Sequence, residues 1–179
     1  MADTLRLRIA AHPFSAPFPE DQRELLAREA RPVEFEPDER IFAEGGAADR
    51  FWLIETGRVA LDMWVPGRDE QVVETLPEGT VLGWSWLTPP YRWHFGARAL
   101  EHTTAVMIDA AAVRERSAAD PVFGYAVLSR FAPLIIERLQ ATRLRMLDLH
   151  ATPQEIAETR ARRAISPDSP DSPEPGSAR

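Results

Sequence analysis

The sequence predicts a mainly β domain of the sandwich or barrel type, with flanking helices and a long C-terminal helix. Three observations lead to this fold class. Turn-forming residues recur at near-regular intervals between residues 44 and 79, β-rich runs lie between them, and a long helical pattern begins after Asp120. Short strands at spacings of roughly ten to twelve residues are typical of sandwiches and barrels and not of parallel α/β sheets.

A short helix is expected before the strands, near residues 20–30. An acidic pair follows Pro19, and a proline with acidic side chains behind it is typical of a helix start. Leu25 and Leu26 provide a short apolar face, which supports a small amphipathic helix.

β structure is expected from about Val33 to Asp109. Four turn signals, from "EGG" at residue 44 to "PEG" at residue 77, separate runs such as "RVALDMWV". In that run the apolar residues at 59, 61, 63 and 65 alternate with their neighbours, which predicts a half-buried strand. The run "TTAVMID" closes the β region.

A long helix is expected over about residues 121–150. Asp120 followed by Pro121 predicts a capped helix start with proline at its first position. Pro133 predicts a kink or a division into two helices. Beyond it, five residues repeat at heptad spacing, as a coiled-coil seam does; they are Ile135, Leu139, Thr142, Met146 and Leu149.

The heptad seam has two interpretations. The helix could pack on its own barrel, or it could form a homodimer in which the polar Thr142 sets the register. We expect the homodimer.

The remaining C-terminal segment, residues 152–179, is expected to be a tail. It is expected to be disordered from about residue 166, because its Pro, Ser and Asp repeats have nothing to bury.

Composition excludes several function classes. The chain of 179 residues has a net charge of −7, no cluster of Lys or Arg that offers a phosphate-tracking stripe, and no cysteine. A nucleic-acid partner and thiolate chemistry are therefore not expected. No apolar run is long enough for a membrane span or a secretory signal, so we expect a cytoplasmic protein without membrane association. The four histidines lack H-x-H spacing, so no metal site is expected.

Tryptophan is concentrated in one segment. The stretch "LGWSWLTPPYRWHFGARAL", residues 82–100, holds three of the five tryptophans of the chain, together with two arginines and a histidine. These indoles either fill a core or line a binding site.

The order of these features resembles the cyclic-nucleotide-binding domain, in particular the sensor half of Crp/Fnr-type regulators, over Phe14–Ala151. The residues that carry the resemblance are three runs in the expected order: "FEPDERIFAEGGAADRFWLIETGRVAL" (35–61), "LPEGTVLGWSWL" (76–87) and "ARALEHTTAVMID" (97–109). The resemblance implies a jelly-roll-like β-roll over about residues 33–109, followed by the long helix. It also implies a non-catalytic, ligand-sensing function.

The family's phosphate-binding cassette corresponds to residues 83–94, which we call the cassette segment. In the family, a glutamate holds the ribose and an arginine pairs with the cyclic phosphate. A gap-free alignment keeps Gly83 but places Trp84 at the glutamate position and Trp93 at the arginine position. An arginine–phosphate contact contributes on the order of 1.5–3 kcal/mol. The loss of both anchors should therefore weaken cyclic-nucleotide binding by roughly a hundredfold or more.

Two interpretations of the cassette segment stay open. The indoles fill the nucleotide space, or they line a remodelled pocket for a small anionic or aromatic ligand. The candidate ligand-binding residues are Gly83, Trp84, Ser85, Trp86, Arg92, Trp93, His94 and Thr142. Ser85 is expected to cap a short cassette helix, and no resident cofactor is expected.

The resemblance implies that the helix supplies a threonine–serine pair to the adenine base. Thr142 matches that pair, but Arg143 replaces the serine. The segment after the helix is too short for the helix-turn-helix domain of these regulators.

We therefore expect a ligand-sensing protein that does not bind cyclic AMP in the usual mode and signals through its dimer helix to an unknown partner protein. The alternatives are a structural adaptor that recruits an enzyme complex and a true cyclic-nucleotide regulator that uses Arg92.

Overall fold

A computed structural model describes residues 2–68 and 70–150 of the chain, and it describes the side chains of residues 3–68 and 70–143. The helices are α1 Ala2–Ala11, α2 Glu20–Arg28, α3 Ala110–Ala119 and α4 Pro121–His150. The strands are β1 Ala30–Phe35, β2 Arg40–Phe42, β3 Arg50–Thr56, β4 Val59–Trp64, β5 Glu70–Leu76, β6 Val81–Leu82, β7 Gly96–Ala99 and β8 Thr103–Asp109. A short 3₁₀ turn, Ser85–Leu87, follows β6.

The eight strands form two four-stranded antiparallel sheets. One sheet has the order β1-β8-β3-β6 and the other has the order β2-β7-β4-β5. β8 lies between β1 and β3, with Ile108 opposite both Ala30 and Phe51. These sheets, with the helices that flank them, confirm the predicted mainly β class and the β-roll.

Aliphatic side chains from both sheets form the core. Leu53, Ile54, Val59, Val106 and Ile108 are among its fully buried members. Burying a side chain of this size contributes roughly 1.5–3 kcal/mol relative to leaving it exposed. The core accounts for the apolar runs that the sequence placed in strands.

β4 departs from the predicted half-buried pattern, because its first four residues are all buried. Asp62 is only 3 % exposed. Its two carboxylate oxygens accept hydrogen bonds from Nη1 of Arg40, both at 2.7 Å. Gly96 makes room for the pair, since a Cβ atom there would lie 2.3 Å from Oδ1 of Asp62. The charged partner, which lies on a different strand, explains why the alternating pattern was misleading.

α1 was not anticipated from the sequence. Arg8 forms a two-point ion pair with Glu55 of β3, and Ile9 is fully buried. Nε2 of His12, just after α1, lies 3.2 Å from the carbonyl oxygen of Ile54. These contacts join residues far apart in sequence, so local patterns carried no signal for them.

α3 was not anticipated either. Asp109 caps it by accepting a hydrogen bond from the backbone N–H of Ala112 at 3.0 Å. Ala110 and Val113 bury one face of this helix.

The chain divides into two compact units, Met1–Ala132 and Pro133–Arg179. The predicted start of α4 is confirmed, because Oδ1 of Asp120 accepts hydrogen bonds from the N–H groups of Val122 and Phe123. Pro133 lies inside α4, so the alternative of two separate helices is wrong. No helix among the described residues is both long and apolar enough to cross a membrane.

The predicted seam lies in the second unit. Leu139 is 50 % exposed, Thr142 is exposed and Ile135 is half-buried. The side chains of Met146 and Leu149 lie outside the described residues, as does the predicted tail.

Candidate functional site

The cassette segment connects β6 to β7 in the first unit. It begins at Gly83, which has a φ of +89°. A Cβ atom at this position would lie 2.9 Å from the ring of Trp93. Glycine is therefore needed here both for the left-handed backbone and for the close approach of the indole.

Trp93 is part of the protein core. Its side chain is 5 % exposed and stacks on Phe42, with ring centroids 4.0 Å apart and planes inclined by 19°. Trp52 lies on the same cluster, 5.9 Å from Trp93. We call these three residues the Trp93 cluster. The residue that the gap-free alignment places at the position of the phosphate-binding arginine is thus a buried ring.

The backbone of Trp93 is also held in place. Its N–H donates to the carbonyl of Gly46 at 2.9 Å, and its carbonyl accepts from the N–H of Gly45 at 2.8 Å. These two bonds attach this end of the cassette segment to the turn at residues 44–46.

Trp86 belongs to a different cluster. It is 2 % exposed and stacks on Phe51 at 5.3 Å, while the ring of Phe131 from α4 packs edge-on at the same distance. Trp84 is half-buried. The structure therefore does not gather Trp84, Trp86 and Trp93 on one wall of a pocket.

Ser85 and His94 link the two ends of the cassette segment. The hydroxyl of Ser85 lies 3.0 Å from Nδ1 of His94. The expected capping role of Ser85 is wrong, because the 3₁₀ turn has Trp84 at its N-cap and no side-chain cap. The hydroxyl is engaged by His94 instead.

Arg92 and His94 are exposed on either side of the buried Trp93. Arg92 forms a β-bridge with Ala47, and successive side chains of a strand point to opposite sides, so burial of Trp93 directs the side chain of Arg92 outwards. Nη1 of Arg92 donates to the carbonyl of Gly45 at 2.8 Å. This bond holds Arg92 against the turn at residues 44–46.

Thr142 lies in the second unit. Its hydroxyl donates to the carbonyl of Arg138, one turn earlier in α4, at 2.9 Å. This is a bond within the helix.

Sequence reasoning missed Arg114 of α3. Its guanidinium carbon lies 4.3 Å from the centroid of the Tyr91 ring, and its Nη1 donates to the carbonyl of Trp86 at 3.1 Å. The residue follows an alanine-rich run with little periodicity, so no local pattern marked it.

Comparisons with known proteins identify the domain. The family model for the cyclic nucleotide-binding domain matches residues 32–120. A solved structure from Geobacter metallireducens, named for cyclic nucleotide binding, is 26 % identical with a TM-score of 0.67, covering 77 % of this chain and 97 % of that chain. No curated protein sequence matches the chain.

Two further solved structures are similar in fold. The sensor domain of the transcriptional regulator DNR from Pseudomonas aeruginosa is 15 % identical with a TM-score of 0.62, covering 78 % of this chain and 93 % of that chain. The regulatory subunit of a cAMP-independent protein kinase A from Trypanosoma cruzi, bound to guanosine, is 20 % identical with a TM-score of 0.54, covering 70 % of this chain and 50 % of that chain.

Proposed function

The chain belongs to the cyclic nucleotide-binding domain family through residues 32–120, and on that premise we propose that it is a non-catalytic regulatory protein whose cassette segment is closed by its own side chains. The observation that carries this proposal is the burial of Trp93, 5 % exposed, against Phe42. In this proposal the indoles are core, and cyclic nucleotide is not the signal that the domain reads.

The energetic argument has two parts. A phosphate in the family's position would meet an indole where it needs a cation, which forfeits about 1.5–3 kcal/mol. We call the space that the phosphate would occupy the slot. Opening the slot would also require Trp93 to leave its stack on Phe42, and aromatic pairs of this kind contribute roughly 0.5–1.5 kcal/mol beyond their area burial. Both terms oppose binding.

Arg92 offers poor compensation. Its side chain is exposed and already donates to Gly45, on the side of the segment opposite to the buried Trp93. For Arg92 to bind a phosphate in the slot, the extended segment would have to shift by one residue, and Trp93 would then lose its core position. Arg92 and a buried Trp93 therefore exclude each other as occupants of the slot.

We place the output of the domain in α4. Phe123, Val127 and Phe131 of this helix are buried in the first unit, whereas Leu139 and Ile136 in the second unit expose about half of their surface. This exposed apolar surface, which includes Leu139 of the predicted seam, supports a homodimer through the second half of α4, with a partner protein as the recipient of the signal.

Isothermal titration calorimetry tests the proposal. Cyclic AMP and cyclic GMP should bind the full chain with dissociation constants above roughly 0.1 mM. The loss of two anchors raises the dissociation constant by two or more orders of magnitude, here counted from about a micromolar. A cyclic-nucleotide-binding domain that retains both anchors serves as the positive control.

Two arginine variants complete the test. A dissociation constant near or below a micromolar that is abolished by Arg92→Gln, and retained in Arg116→Gln on α3, would overturn the proposal. That result would show that Arg92 has replaced the family's arginine.

A further inference from the structure

A cleft in the first unit lies between the cassette segment and helices α3 and α4. Its volume is about 280 Å³, and Trp86, Leu87, Tyr91, Arg114, Val127 and Leu128 are among its lining residues. We call it the Arg114 cleft. Its walls are mostly apolar or aromatic, and Arg114 supplies a cation.

Arg114 has an unusual position for a half-buried arginine. Arg8 and Arg40, which are also half-buried or nearly so, pair with Glu55 and Asp62 respectively. Among the described residues, no carboxylate lies within 4.0 Å of Arg114. A cation that is partly withdrawn from water and lacks an anionic partner favours the binding of an anion.

The guanidinium group has free capacity for a ligand. Both of its hydrogen bonds, to the carbonyls of Trp86 and Ala48, are donated by Nη1. The guanidinium carbon also lies 4.3 Å from the centroid of the Tyr91 ring, which leaves Nε and Nη2 as donors for a ligand.

The indole N–H of Trp86 is a second donor without a partner. It is buried and has no hydrogen-bond acceptor among the described residues. An unpaired buried donor costs roughly 1–3 kcal/mol, and Trp86 lines the same cleft as Arg114. A ligand oxygen that accepted a hydrogen bond from this N–H would remove that cost.

We propose that the Arg114 cleft binds a small organic anion with an apolar body, such as an aromatic or branched aliphatic carboxylate. The carboxylate pairs with Arg114, and the apolar body lies against Leu87, Val127 and Leu128. A volume of about 280 Å³ is just below the range of about 300–1,000 Å³ for ligand pockets. It suits a single ring with a short acidic side chain.

Such a ligand would contact the cassette segment and α4 at the same time. If α4 carries the output, as proposed above, binding in the Arg114 cleft would reach the helix directly. This consequence depends on the proposed function, whereas the binding itself does not.

The test uses 3-phenylpropionate as the probe, in ¹H–¹⁵N correlation spectra of the full chain. The carboxylate should shift the indole signal of Trp86 and the amides of Arg114 and Leu128. The neutral amide of the same acid should bind roughly ten- to a hundredfold more weakly, because it lacks the charge that a guanidinium contact needs. The corresponding amine should not bind.

Variants locate the site. Arg114→Gln should weaken the probe by about tenfold or more, and Arg116→Gln, an exposed arginine on the same helix, should leave it unchanged. Leu128→Glu places a negative charge beside the cleft, where it would repel the carboxylate of the probe, and should therefore also weaken binding. Leu128 is half-exposed, so this change should not unfold the protein.

Any of three results would overturn the inference. The first is the absence of a shift at 10 mM probe, a concentration that corresponds to a binding free energy of about 2.7 kcal/mol. The others are equal affinity for the acid and its amide, and shifts centred on Arg92. Cyclic AMP binding in the cassette segment would contradict the proposed function and leave this inference standing. Failure of 3-phenylpropionate to bind would contradict this inference and leave the proposed function standing.

Discussion

Replacing Trp93 with alanine would remove the ring that we propose closes the cassette segment. The ring is 5 % exposed and contacts Phe42, Trp52 and Gly83. Deleting a buried tryptophan side chain typically costs about 3–5 kcal/mol. Burial of roughly 150–250 Å² at about 25 cal/mol per Å² gives a similar figure, near 4–6 kcal/mol. We therefore expect Trp93→Ala to lower the free energy of unfolding by about 3–5 kcal/mol.

Urea denaturation followed by circular dichroism measures this loss. Trp93→Phe is the matched control, because it keeps an aromatic ring on Phe42, and it should lose less than half as much. Trp84→Ala should cost less than Trp93→Ala, since Trp84 is only half-buried. A loss below about 1 kcal/mol for Trp93→Ala would refute the reasoning, because surface substitutions behave in that way.

The remaining predictions concern other parts of the chain. Burial lowers the pKa of His12 below its usual value near 6.5, so the unfolded chain binds this proton at higher pH than the folded protein. The free energy of unfolding should therefore fall as pH drops below about 6.5, by at most about 1.4 kcal/mol per pH unit. Urea titrations at a series of pH values measure this slope, and His12→Gln should abolish it. Asp62→Ala should lower the free energy of unfolding by about 2–3 kcal/mol in the same assay. This loss is smaller than that for breaking a fully buried ion pair, because Arg40 stays partly solvated. An unchanged free energy of unfolding would argue against the observed pair. Leu139→Glu with Met146→Glu should convert a dimer into monomers at micromolar concentration, and light scattering that finds the wild type monomeric would contradict the dimer proposal.

The β-roll could be predicted because the turns between its strands depend on local sequence. Turns need glycine at positive φ, as at Gly45, Gly57 and Gly79, and this requirement is visible residue by residue. The start of α4 was equally local, because Asp120 caps the residues next to it.

Features that depend on distant residues could not be predicted in the same way. α1 is held by Glu55, and the burial of Asp62 depends on Arg40 of another strand. Trp86 and Trp93 lie close in sequence but join Phe51 and Phe42 respectively. No pattern within the cassette segment distinguishes these two partners.

Ser85 shows the same limit on a smaller scale. A serine next to a short helical turn is a reasonable cap, yet its hydroxyl is bonded to His94 at the other end of the segment. The path of the segment between the two residues decides the outcome, and that path depends on tertiary packing.

A crystal structure of the protein soaked in millimolar cyclic AMP tests the central claim most directly. The account predicts that the Trp93 ring stays stacked on Phe42 and over Gly83, with no phosphate at the backbone of residues 84–87. A cyclic phosphate hydrogen-bonded to Arg92 and to those backbone N–H groups, with Trp93 displaced from its stack, would contradict it.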